Sequence, residues 1–342
     1  MRIIKNTAGV LVLAVISVMI LISCSSYKYA EEFGFVSRQI MSGHTDQVLD
    51  MDLSESGKYL ASASMDDTVR IWDAHTLEQL GVLEGHSDDV YSVSFRSDAR
   101  RVATGCRDGA VRVYALPSGE QIHLLRGHAE AVFSVAFSPD GKQIISGGKD
   151  TTVRVWDTES GELLKVFRGH SKEVNTVLIG PESKMGYSTS MDGTVRSWYL
   201  QEELAPKKKK KINKYGVFNV ALYSQEDRIA FTGMSKEYAE SEGEWKKVYP
   251  LYIGKMGENG PENVVQRRGH SNIAWGLAWA PDGKSLVTGG NDERLFFWDV
   301  ENKYRRDKVL PQSGNIWDVE YTPDGKRVFV ATQKNNIMVY TK

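Results

Sequence analysis

The sequence predicts an all-β fold made of seven repeated four-stranded antiparallel sheets. Three observations predict it. A unit of about 42 residues recurs along residues 34–342, each regular unit carries the same polar and aromatic residues at the same offsets, and the stretches between them read as short apolar strands separated by turn residues.

The chain opens with something else. Arg2 and Lys5 precede an apolar run over residues 8–22, which is short for a membrane-spanning helix and suits a secretion signal. The run ends in Leu21-Ile22-Ser23-Cys24, followed by Ser25-Ser26. This stretch resembles the lipobox of bacterial lipoproteins, which implies cleavage before Cys24 and an acyl lipid on its thiol. An uncleaved N-terminal anchor and an ordinary signal peptide are the alternatives, and each of them also exports the chain. The expected organisation is a signal peptide over residues 1–23, a lipidated tether over 24–33 and the repeat domain over 34–342. The sorting rule of enteric bacteria, applied to Ser25, points to the outer membrane.

The first strand expected is Arg38-Gln39-Ile40-Met41. It aligns with Ile122-His123-Leu124-Leu125, which precedes Gly127-His128. Gly-His pairs then recur at Gly43-His44, Gly85-His86, Gly127-His128, Gly169-His170 and Gly269-His270, the first four spaced 42 residues apart. From each His a hydroxyl residue follows at +18, an Asp at +22 and an aromatic residue at +28. The sets are His44, Ser62, Asp66 and Trp72; His86, Thr104, Asp108 and Tyr114; His128, Ser146, Asp150 and Trp156; His170, Ser188, Asp192 and Trp198; and His270, Thr288, Asp292 and Trp298. In the third unit residues 132–137 read as a strand, Pro139-Asp140-Gly141-Lys142 as a turn, and residues 143–146, 152–156 and 163–168 as three more strands.

Two units have drifted. The fifth, over about residues 217–263, has Lys214 in the His position and Thr232 in the hydroxyl position, and an insertion over residues 234–247 replaces its Asp. That insertion is rich in Glu and Lys and reads as an exposed loop. The last unit, residues 316–340, has the turn Pro323-Asp324-Gly325-Lys326 but neither His nor Asp. It lacks room for a fourth strand, so the segment before His44 is expected to complete it.

These Gly-His units, with Trp-Asp recurring at Trp72-Asp73, Trp156-Asp157 and Trp298-Asp299, resemble the WD40 repeat family over residues 33–342. The resemblance implies a seven-bladed β-propeller whose last blade is closed by the N-terminal strand. It also implies a structural role for the five quartets, as a buried chain from indole to hydroxyl to His to Asp. A Ser, a His and an Asp together would otherwise suggest a hydrolase, but five copies argue against a single active site.

In that family partner contacts concentrate at three positions per blade on the face that carries the Gly-His loops, here called the top. Two follow the His at +3 and +5, and one precedes the Asp. Carried onto this sequence they are Gln47, Leu49 and Met65; Asp89, Tyr91 and Arg107; Ala131, Phe133 and Lys149; Glu173, Asn175 and Met191; and Ile273, Trp275 and Asn291. Blade seven supplies Asn315 and Trp317, and blade five Val217 and Asn219. Large aromatic residues gather at one repeated position, as they do in interface hot spots. Packing between neighbouring blades is the alternative use of those rings.

The function classes narrow accordingly. A formal net charge of −1 gives no support to nucleic-acid binding. Outside the five Gly-His pairs only His75 and His123 remain, and the sequence shows no metal-ligand spacing, nucleophile elbow or phosphate-cradling glycine loop. No enzyme activity, cofactor or metal is expected. Cys106 stands alone once Cys24 is lipidated, which suggests a small buried hydrophobe. Lys207, Lys208, Lys209, Lys210 and Lys211 fall on the outermost strand of blade four, where they either protect an edge or meet an anionic partner. The expected function is a non-catalytic scaffold binding proteins at the bacterial cell envelope. An envelope glycan or peptidoglycan binder is the main alternative, and a hydrolase or lyase using the central channel the weaker one.

Overall fold

The computed structural model of the chain describes residues 37–200, 208–212, 214–239, 244–257 and 260–342. Among them the backbone forms seven antiparallel sheets, six of four strands and one of five. The fold is therefore the seven-bladed propeller that the repeats predict. The signal-like segment, Cys24 and the tether lie outside the described residues.

Burial falls from the axis outward, and blade three shows why. Its innermost strand, Val132–Phe137, buries Val132, Val135 and Phe137 between blades and turns Phe133 toward the axis. The second strand, Gln143–Gly148, is buried almost throughout because sheets cover both of its faces. The outermost, Leu163–Arg168, leaves Leu163 and Leu164 exposed. The apolar core lies between blades: Ala103, Val111 and Val113 of blade two pack with Val132, Val135, Phe137 and Ile144 of blade three. Each innermost strand packs on the next around the ring, including blade seven on blade one.

The Gly of the Gly-His pair has a steric cause. A Cβ at Gly127 would lie 2.7 Å from Arg154 Nη1 and 3.0 Å from the Trp156 ring, and one at Gly169 2.7 Å from Arg196 Nη1. The third-strand Arg and Trp cross the loop at a distance only glycine allows.

Ring closure matches the expectation from the N-terminal segment. Ser37–Ser42 pairs antiparallel with Asn336–Thr341, Arg38 opposite Tyr340 and Met41 opposite Ile337. Blade seven thus takes its fourth strand from the other end of the chain, and the last strand keeps no open edge.

Blade five departs from the sequence reading. The insertion is not a loop: Ser235–Ala239 pairs with the start of Glu244–Gly257, so the third strand is lengthened into a projecting hairpin. The sheet also runs on to His270, through Gly260–His270, rather than ending near residue 263. Lys and Glu hid this hairpin, because a ribbon projecting from the ring has no buried face to impose apolar alternation.

Candidate functional site

The quartets join into hydrogen-bond chains. In blade one, Trp72 Nε1 donates to Ser62 Oγ at 2.8 Å, the hydroxyl meets His44 Nε2 at 2.7 Å, and Nδ1 meets Asp66 at 2.8 Å. Indole only donates and carboxylate only accepts, so the chain starts from the Trp72 N–H and ends on the Asp66 carboxylate. Blades three, four and six repeat the chain: the His–Asp distances are 2.9, 2.9 and 2.7 Å and the Trp–hydroxyl distances 2.8, 2.7 and 3.0 Å. Ser62, Ser146, Ser188 and Thr288 are fully buried. Burial pushes the Asp66 carboxyl up, but hydrogen bonds from His44, Thr68 and the Thr45 backbone outweigh it and hold it well below the usual range. Thr68, Thr152 and Thr194 each donate to the Asp two residues before them, an anchor the sequence reading missed.

Blade two breaks the chain. His86 Nε2 meets Thr104 at 2.8 Å, but Asp108 is held by Arg112 at 3.2 and 2.6 Å instead of by His86. Tyr114 donates to the Glu84 carbonyl at 2.9 Å. Ala110 stands where blades one, three and four have the Thr, which leaves the carboxylate open to the guanidinium. Burial, and then the charge of Arg112, push the His86 imidazole down to about 4.

The aromatic position points into the mouth of the central channel. Leu49, Tyr91, Phe133, Asn175, Phe218, Trp275 and Trp317 follow one another around the ring and line a cavity of about 330 Å³. Phe218 packs edge-on against Trp275 at 5.2 Å, Trp275 lies 6.4 Å from Trp317, and Tyr91 meets Phe133 edge-on at 5.4 Å. Trp317 Nε1 donates to Gln47 Oε1 at 3.0 Å. Trp275 Nε1 is buried without a hydrogen-bond partner. The rings therefore pack against their neighbours from blade to blade and also face the cavity.

The blade-five positions shift by one residue. Val217 is fully buried in the core, and Asn219 donates to the Trp275 carbonyl at 2.5 Å while still lining the cavity; Phe218 is the residue that takes the place of Leu49, Tyr91 and Phe133 in the ring. Lys214 was a poor ruler because the loop lacks a His. The +3 residue and the residue before the Asp are joined by a backbone hydrogen bond, from Met65 to Gln47, Arg107 to Asp89, Lys149 to Ala131, Met191 to Glu173 and Asn291 to Ile273. The same bond runs from Met234 to Gly216 and from Gln333 to Asn315, which supplies the members that the drifted blades hid. Met65 reaches the cavity. Arg107 and Lys149 stand exposed at the rim of the top face, paired with Asp89 at 3.2 Å and Glu130 at 3.0 Å, and Ala131 is buried.

Below the aromatic mouth lies a group of carboxylates that the sequence reading did not pair. Asp50 and Asp52 of blade one and Asp318 and Glu320 of blade seven sit on adjacent innermost strands. Asp50 accepts from Val93 N at 2.8 Å, Asp52 from Phe95 N at 2.5 Å and Asp318 from Met51 N at 3.0 Å. Burial pushes Asp50 up to about 6 and Asp52 up to about 7. Burial, and then the neighbouring acidic charges, raise Asp318 and Glu320 well above the usual range. The signal was there, as acidic residues at alternate positions of apolar strands, Val-Leu-Asp-Met-Asp-Leu and Ile-Trp-Asp-Val-Glu-Tyr. Their proximity required the ring to close.

Asp67, Asp88 and Asp89, at the rim between blades one and two, bring carboxylate oxygens within 4.8 Å of one another. Arg107 already lies against Asp88 and Asp89. Lys208–Lys211 forms the fourth strand of blade four, paired with residues 194–197, while Lys207 lies outside the described residues. Cys106 is fully buried, and burial pushes its thiol up to about 11, which makes it unreactive. Among the described residues no helix is long and apolar enough to cross a membrane.

Comparison with known proteins agrees with this geometry. Residues 47–194 match the family model described as WDR90, 4th beta-propeller, and residues 262–299 match the WD domain, G-beta repeat. The chain is also similar to two proteins described as Periodic tryptophan protein 2 homolog. The one from Neurospora crassa is 26% identical over 73 residues, covering 21% of this chain and 8% of that protein. The one from Dictyostelium discoideum is 24% identical over 98 residues, covering 28% of this chain and 11% of that protein.

Proposed function

We propose that this chain, a seven-bladed β-propeller of WD40-type repeats, is a non-catalytic scaffold that binds a protein partner through the mouth of its channel on the top face. One observation carries the reading. Seven equivalent positions place five aromatic rings and Leu49 around a single cavity, an arrangement of rigid anchors at the centre of a face. The quartets, by contrast, are consumed inside the blades, which supports a structural use for the His, hydroxyl and Asp residues.

The proposed setting is the bacterial cell envelope, with an acyl lipid on Cys24 as anchor and the outer membrane as the favoured site. The lipobox-like residues support it. So does the direction of the closing strand, which begins opposite Thr341 and ends at the top-face loop of Gly43. A tether entering there would hold the bottom edge toward the membrane and leave the channel mouth free.

The test is capture of protein from envelope fractions by the full chain and by Trp275→Ala/Trp317→Ala, with melting temperatures of both. The expected result is loss of capture with a small change in melting temperature. Unchanged capture would contradict the reading. Cys24→Ser should abolish incorporation of labelled acyl chains into the protein, and labelling that persists would contradict the lipid anchor.

A further inference from the structure

We infer that the channel mouth receives one cationic side chain, an arginine or lysine, projected down the axis by the partner protein. The inference rests on the protein-binding reading and adds the chemistry of the contact. The cavity, at about 330 Å³, lies at the small end of ligand pockets and suits one extended side chain better than a folded segment.

Two independent features select the charge. Aromatic rings attract a cation placed over their faces, and Tyr91, Phe133, Trp275 and Trp317 stand around the opening. Asp50 and Asp318 then reach the same cavity from adjacent strands, and no Lys, Arg or His is among the residues lining it. Asp50 accepts from the Val93 and Met51 backbone and the Ser92 side chain, and Asp318 from the Met51 and Val319 backbone, so neither carboxylate has a cationic partner.

Buried acids elsewhere in the ring are treated differently. Asp66 pairs with His44 and Thr68, and Asp108 forms an ion pair with Arg112. Asp318, only 7% exposed, faces other carboxylates instead. A guanidinium or ammonium entering from the top would supply the missing positive charge and meet the rings on its way. A neutral sugar could stack on the rings but would leave the acids unmatched. A single metal ion is a poorer fit, because these carboxylates do not converge as the oxygens of Asp67, Asp88 and Asp89 do within 4.8 Å.

The experiment is calorimetric titration of the full chain with blocked Gly-Arg-Gly, its lysine and citrulline counterparts, and maltotriose. Citrulline keeps the shape of arginine and removes the charge. Saturable binding of the arginine or lysine peptide is expected, with at least about tenfold weaker binding of citrulline. The same loss is expected for the arginine peptide on Asp50→Asn/Asp318→Asn, which keeps the oxygens that accept from Val93 and Met51. Should the double variant misfold, Asp318→Asn alone serves. Equal binding of citrulline, undiminished binding to the variant, binding of maltotriose only, or no saturable binding of either cationic peptide would overturn the inference. Partner capture separates the two claims. Capture that needs Trp275 and Trp317 but not Asp50 and Asp318 keeps the protein-binding reading and removes the cation; capture that needs neither pair removes both.

Discussion

Asp318 of blade seven accepts a hydrogen bond from the backbone N–H of Met51 in blade one at 3.0 Å, across 267 residues of sequence. The same position bonds each of the first three blades to the next, Asp50 to Val93, Ser92 to Val135 and Ser134 to Val177. The ring is thus fastened twice where it closes, by the outer strand Ser37–Ser42 at its rim and by Asp318 at its axis.

Asp318→Ala should therefore destabilise the protein by about 1–3 kcal/mol, the cost of leaving a buried N–H unpaired. Asp318→Asn keeps an acceptor and sheds a poorly solvated charge, so its stability at pH 8 should equal or exceed that of the parent chain. Denaturant unfolding of both variants checks the pair of outcomes.

Stability should also peak in mildly acid solution. Asp50, Asp52, Asp318 and Glu320 hold protons more tightly folded than unfolded, since burial raises them, to about 7 for Asp52. For Asp50 and Asp52 that contribution is full below the ordinary carboxylate range of about 4 and is lost as pH rises through about 6–7. Asp66, Asp150 and Asp192 are lowered, so theirs is present above about 4 and is lost as pH falls below it. The melting temperature should rise from pH 8 to about pH 5 and fall below about pH 4. Asp52→Asn should flatten the first limb and leave the second.

The quartets should differ in worth. Ser146→Ala removes the shared partner of both Trp156 Nε1 and His128 Nε2 and should cost about 2–4 kcal/mol. Thr104→Ala removes the shorter of two contacts of His86 Nε2, which keeps the Tyr114 hydroxyl at 3.4 Å, and should cost about 1–2 kcal/mol. Equal losses would mean that the blade-two chain is intact in solution.

Removal of residues up to Ser42 should open blade seven. Met41, 3% exposed, leaves its core, and Asn336–Thr341 gains a free edge. Size-exclusion chromatography with light scattering should show self-association of this shortened chain and none of the chain that keeps residues 37–42.

What was legible in the sequence follows from where the physics is local. The quartets have fixed offsets because one hydrogen-bond chain spans three strands of one blade, so His128, Ser146, Asp150 and Trp156 can be counted off in order. The closing strand was legible because Arg38-Gln39-Ile40-Met41 repeats a pattern found before Gly127-His128. Phe218 was missed by one residue because Lys214 is not a His and does not mark the loop. Asp108 kept its offset but changed partner, since Arg112 and Ala110 alter its surroundings without altering the spacing. The acids of the channel were legible as acidic positions in apolar strands but not as a group: Asp50 and Asp318 meet only because the two ends of the chain do.

The claim that the partner sits on the channel mouth is tested most directly by site-specific photocross-linking in envelope fractions. Benzoylphenylalanine placed at Tyr91, in the mouth, should give a discrete adduct with another protein, while the same residue at Leu124, 40% exposed on an outer strand, should give none. An adduct from Leu124 with none from Tyr91 would contradict the account and move the binding surface to the rim.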